Sequence, residues 1–63
     1  MEEMIDFRFK VVFADGGHTF EYKQFFSFAE AFNYAYDSVF VCDIKQIDIY
    51  TDDNDRLIAT FYH

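Results

Sequence analysis

From Ile5 to Phe13 an apolar residue falls at every second position: Ile5, Phe7, Phe9, Val11 and Phe13, with Asp6, Arg8, Lys10 and Val12 between them. A period of two belongs to a strand with one buried face, because successive side chains in a strand point to opposite sides. A chain that opens this way must supply a second layer to cover that face. The strand runs into "FADGGHTF", in which Asp15, Gly16 and Gly17 tolerate positive φ and predict a hairpin turn into a second strand. A two-residue loop, Asp15-Gly16 or Gly16-Gly17, pairs odd positions of the first strand with even positions of the second. That register predicts Phe20 and Tyr22 on the face of Phe9, Val11 and Phe13. A three-residue loop would reverse the second strand and expose Phe20.

The covering layer is next in the sequence. Ser27-Phe28-Ala29-Glu30 has the form of a capping box, in which the serine oxygen takes the amide of Glu30 and the glutamate returns to the amide of Ser27. At about 100° per residue, a helix from Phe28 puts Phe28, Ala31, Phe32, Ala35 and Val39 on one stripe. Tyr36 and Phe40 fall at its edge, and Glu30, Asn33 and Asp37 lie opposite. The aromatics of "QFFSFAEAFNYAY" are therefore spaced for a core and not for a stacking platform. Tyr34 falls on the polar side, which makes it a candidate anchor for a partner.

A second hairpin closes the pattern. In "IKQIDIYTDDNDRLIATFYH", Ile47 and Ile49 share a face that Leu57, Ala59 and Phe61 match if the loop is Asp52-Asp53-Asn54 with Asn54 left-handed. The reading is an α+β, two-layer ββαββ domain over residues 1–63, with strands at about 4–13, 18–25, 46–51 and 55–62 and a helix at about 28–40. A helix that leaves the second strand and runs back over the sheet delivers the third strand antiparallel beside the first, predicting a mainly antiparallel sheet of order 2-1-3-4. Order 2-1-4-3 is the alternative.

Sixty-three residues bury a small core, only about 60% of the surface exposed by the unfolded chain. Disulfides, metals or a second subunit usually assist such a domain, and the single cysteine, Cys42, excludes an internal disulfide. A second copy is the expected aid. Cys42 reads as a small buried hydrophobe in a reducing compartment. No basic segment followed by an apolar one opens the chain and no apolar run approaches the length of a membrane span, so a cytoplasmic protein without a membrane partner is expected.

Two surfaces stand out. Alternation places Arg8, Lys10, Val12, Thr19, Glu21, Lys23, Asp48, Tyr50, Ile58, Thr60 and Tyr62 on the sheet face away from the helix, where Tyr50, Ile58 and Tyr62 form an apolar patch suited to self-association. The second surface is acidic. Twelve acids against five bases give a formal net charge of −7, which argues against direct nucleic-acid binding, since that requires clustered cations. Asp37, Asp48, Asp52, Asp53 and Asp55 gather near the helix end and the second hairpin in sequence. If they converge in space they could imitate a phosphate backbone and occupy the groove of a basic DNA- or RNA-binding protein. Some small acidic proteins of viruses and mobile elements act so, an analogy of charge and size only.

Catalytic and metal chemistries are poorly supplied. "TDDNDRL" fails the calcium-loop pattern, because counting from Asp53 puts Leu57 at position 5 and Ile58 at position 6, where an oxygen ligand and a glycine are needed. His18, His63, Ser27 and Ser38 lie in no nucleophile motif, and the carboxylates are exposed by pattern. The sequence predicts no enzyme, no metal and no cofactor. It predicts a small acidic interaction module, a homodimer with a further protein partner that is basic if the mimicry reading holds.

Overall fold

The computed structural model describes residues 3–41, 43–51 and 55–63. Cys42, Asp52, Asp53 and Asn54 lie outside the described residues. Strands β1 (Ile5–Phe13) and β2 (His18–Phe25) are followed by helix α1 (Phe28–Val39) and strands β3 (Ile44–Thr51) and β4 (Arg56–Tyr62). The four strands form one sheet of order β2-β1-β3-β4 with every neighbouring pair antiparallel, as the crossover argument requires. β3 begins two residues earlier than the pattern suggested. Lys45 is the extra residue of a bulge, since Val12 pairs with Gln46 but Phe13 with Ile44.

The helix covers one sheet face. Phe7, Phe9 and Val11 of β1, Ile47 and Ile49 of β3, and Ala31, Ala35 and Val39 of α1 form the buried core. Three small or branched residues on the helix let its backbone approach the large side chains of the two central strands. Ser27 Oγ accepts from the Glu30 amide at 3.2 Å, while Glu30 Oε1 accepts from the amide of Phe26 at 2.9 Å, not from that of Ser27. The helix stops without a glycine cap; the Val41 amide takes the Ser38 carbonyl at 3.1 Å. No helix among the described residues is long and apolar enough to cross a membrane.

Both hairpins differ from the simplest reading. The Phe13 amide donates to the Gly17 carbonyl at 2.7 Å and the Gly16 amide to the Phe13 carbonyl at 3.0 Å, so the first loop is Ala14-Asp15-Gly16, three residues long. Gly16 stands at φ +96°, the left-handed position that follows a type I turn in such loops. Asp15 Oδ1 accepts from the Gly17 amide at 2.9 Å and steadies the turn. Phe9 consequently pairs with Glu21 and Lys10 with Phe20, so Phe20 and Tyr22 turn away from the helix. The expectation that they join the core is overturned.

In the second hairpin Thr51 pairs with Arg56, which makes the loop four residues, and Asp55 is the described residue with left-handed φ, at +55°. A bulge follows. Tyr50 pairs with Leu57 and Ile49 with Ala59, leaving Ile58 as the extra residue. Leu57 therefore leaves the core face and is 50% exposed.

Candidate interaction surfaces

On the helix-free face the central strand presents Arg8, whose guanidinium carbon lies 4.6 Å from the Tyr50 ring centroid and 5.3 Å from that of Phe20. The three-residue turn creates this stack, because it brings Phe20 of β2 to the side occupied by Arg8. Arg8 Nη2 forms an ion pair with the Asp55 carboxylate, while its buried Nε has no acceptor among the described residues. Each ring contributes about 0.5–1 kcal/mol to such a cation contact at a partly exposed site. The stack joins β2, β1 and β3 on the bare side of the sheet.

Asp48 stands opposite Lys10 on the same face, yet it is only 8% exposed. Its Oδ1 accepts from Gln46 Nε2 at 2.8 Å and from Thr60 Oγ1 at 3.0 Å. A carboxylate so enclosed belongs to the internal hydrogen bonding of the sheet, and the expectation that it contributes to an acidic surface is corrected. Among the described residues, Asp37 and Asp55 do not converge either. α1 runs from the Ile5–Phe25 end of the sheet to the end where the Ala14 amide meets the Asp43 carbonyl, so the exposed Asp37 shares that end with Asp15 and Asp43. Asp55 lies at the opposite end, beside Thr51 and Phe7, and is held by Arg8. Asp52 and Asp53 lie outside the described residues.

Tyr34 is not a free anchor. Its ring packs at 5.3 Å against Phe9 and 5.5 Å against Phe25, and its hydroxyl donates to Glu21 Oε1 at 3.0 Å. The buried stripe of α1 is centred on Ala35, and at about 100° per residue Tyr34 and Tyr36 flank that centre equally. Tyr34 finds Glu21 and Phe25 of β2 beneath it. Tyr36, on the β4 side, is 55% exposed. Partial burial, and after it the hydrogen bond and negative charge of Glu21, raise the Tyr34 pKa above the ordinary tyrosine value, against a smaller lowering by Ser38. The neutral phenol is therefore favoured by folding. That stability is fully present below the ordinary tyrosine pKa of about 10 and is lost as pH rises through the higher folded value. Tyr34→Phe should lower stability by about 0.5–1.5 kcal/mol near neutrality, and the gap to the parent chain should narrow above about pH 10. Urea unfolding at both pH values checks this.

The outer side of β4 carries the third feature. Leu57 and Tyr62, together with Tyr50 of β3, stand on the open face, Tyr62 being 69% exposed. On the helix side, Tyr36 and Phe40 are both more than half exposed and meet edge-on at 5.0 Å. Phe61 lies between the layers, 6.1 Å from Phe32 and 6.3 Å from Tyr36. Of the residues predicted for an interface, Tyr50 and Tyr62 share the open face. Ile58 sits in the bulge, half-buried and packed against the core. Leu57, Tyr36, Phe40 and the Phe20–Arg8–Tyr50 stack were missed. The Gly16 position was the legible signal for the last of these, since a glycine third in the loop is what a three-residue hairpin demands.

No family model, curated protein or solved structure matches this chain. Among the described residues no group of three or more histidine, cysteine or acidic side chains is placed to hold a metal ion. Two surface depressions among the described residues, one beside Asp6, Tyr22 and Lys23 and one beside Asp15 and Asp43, are open to solvent. Neither contains a histidine, serine or cysteine.

Proposed function

We propose that the chain is a small, acidic, non-catalytic protein-interaction module that associates with a second copy of itself. The carrying observation is the apolar exposure on both sides of the β4 edge: Leu57 and Tyr62 on one face, Tyr36 and Phe40 on the other. Large apolar side chains grouped about an unpaired strand edge mark an association surface, and a core this small gains from it. Charge favours the same reading. The strand residues Asp6, Arg8, Lys10 and Asp48 on the helix-free face balance one another, whereas the whole chain carries −7. A surface that is locally neutral lets two acidic copies approach.

Salt tests it. Two copies with a formal charge of −7 each repel at long range, so self-association should tighten as ionic strength rises and the repulsion is screened. Sedimentation velocity or light scattering at low and high salt is the measurement, and a monomer under all conditions sinks the proposal. Complexes that form at low salt with a basic nucleic-acid-binding protein and dissolve at high salt would favour the acidic-mimic reading instead. That reading has less support, because Asp37 and Asp55 lie at opposite ends of the sheet and Asp48 is enclosed.

A further inference from the structure

We infer that two copies join β4 to β4, antiparallel across a two-fold axis, to make one eight-stranded sheet whose axis passes beside Phe61. The inference rests on the self-association reading and names its seam. The two strand edges of the monomer are β2 and β4. β2 carries Glu21 and Lys23, charges of the kind that discourage edge pairing. β4 carries no charge from Leu57 to Tyr62, and no proline or glycine either, a composition that favours pairing with another strand.

Register follows from the backbone. The His63 amide donates to the Lys45 carbonyl at 3.0 Å, and bonded and unbonded pairs alternate along an antiparallel ladder. Phe61 and Ala59, opposite Ile47 and Ile49, therefore turn their backbone groups inward to β3, and Thr60 and Tyr62 turn theirs outward. The bulge at Ile58 bends the first part of the strand, which confines regular pairing to the part from Ala59 onward. Pairing Thr60 with Tyr62 of the second copy, in both directions, satisfies the outward N–H and C=O groups of both residues and opposes no like charges. Phe61 then faces its own copy at the axis, on the helix side. There the Phe32–Tyr36–Phe61 rings of the two copies merge into one apolar cluster, and Tyr36 and Phe40 lose their exposure. An isologous seam of this kind uses up the β4 edge of both copies and cannot propagate.

Hydrogen exchange reads the seam directly. In the parent chain, protection of the Thr60 and Tyr62 amides should rise about tenfold or more as the protein passes from monomer to dimer over a roughly hundredfold range of concentration. Outward-facing amides of β2 should not change. As a second measurement, Phe61→Cys in a Cys42→Ser background places two thiols at an unbonded pair, where Cα atoms about 4.5 Å apart lie within disulfide range. Mild oxidation should give a covalent dimer, and Tyr22→Cys in the same background should not. A chain that sediments as a dimer while Thr60 and Tyr62 exchange as free amides and Phe61→Cys stays unlinked overturns the seam and leaves self-association standing. A chain that is monomeric throughout overturns both.

Discussion

Phe9→Ala is expected to leave the chain largely unfolded at room temperature. Phe9 is completely buried at the centre of β1, where its ring meets Phe25 edge-on at 6.2 Å and Tyr34 at 5.3 Å. Truncating a buried phenylalanine costs about 3–5 kcal/mol, through lost transfer energy and the cavity that remains. A single core in a domain of this size supplies roughly 3–5 kcal/mol in total. The loss is of the same order as the whole stability, so the variant keeps little in reserve. Circular dichroism and dispersion of the amide spectrum should both show the loss. Phe28→Ala is the control, because Phe28 is 45% exposed and touches the core chiefly through Phe7, with ring centroids 5.5 Å apart; it should keep the native spectrum.

Ala35→Leu should destabilise for the opposite reason. Ala35 is fully buried at the middle of the stripe that α1 lays on the sheet, with Ala31 one turn before it and Val39 one turn after. Three added carbons at this contact force the helix away from Phe9 and Ile49, and overpacking of this kind costs about 1–3 kcal/mol. Two further signs separate it from the cavity variant. The Tyr34 hydroxyl should lose its bond to Glu21, since the helix carries Tyr34 with it. Ala35→Gly should be destabilised by about 1 kcal/mol through helix propensity and by about 0.8 kcal/mol more through the lost buried methyl, without displacing the helix. Equilibrium unfolding of the three chains checks both costs, and an Ala35→Leu chain as stable as its parent would show that the helix does not rest on this residue.

Much of the architecture is legible in the residues because period and turn chemistry agree. The alternation from Ile5 to Phe13 permits little but a half-buried strand, and the Ser27–Glu30 cap starts a helix that must return across the sheet. Strand order follows from that crossover. What is harder to read is phase within each strand. Asp15-Gly16-Gly17 accommodates loops of two or three residues, and the choice decides whether Phe20 and Tyr22 or Thr19 and Glu21 face the helix. Hydrophobicity alone favours the wrong answer, because it takes no account of a phenylalanine stacked on an arginine. The bulge at Ile58 inverts Leu57 in the same way, and a bulge leaves no mark in composition. The acidic surface misled for a different reason. Asp37 on the helix and Asp55 after the last loop are separated by a strand that runs the length of the domain, so nearness in sequence becomes separation in space, and Asp48 is taken inward by two hydrogen-bond donors.

The Arg8–Asp55 pair ties the first strand to the end of the last loop, residues that belong to opposite ends of the chain. Contacts between distant segments form after the local hairpins, since closing the longer loop is entropically costly. The Arg8–Asp55 ion pair, and the Arg8–Tyr50 contact with it, are therefore expected among the later steps of folding, whereas the Arg8–Phe20 contact forms within the first hairpin. An interaction absent from the transition state influences how long the native state lasts rather than how quickly it is reached. Exchanging Arg8 for a shorter or uncharged side chain is therefore expected to raise the unfolding rate more than it lowers the folding rate, as the two arms of a urea chevron would read, and so to shorten the time for which the β4 edge keeps its shape.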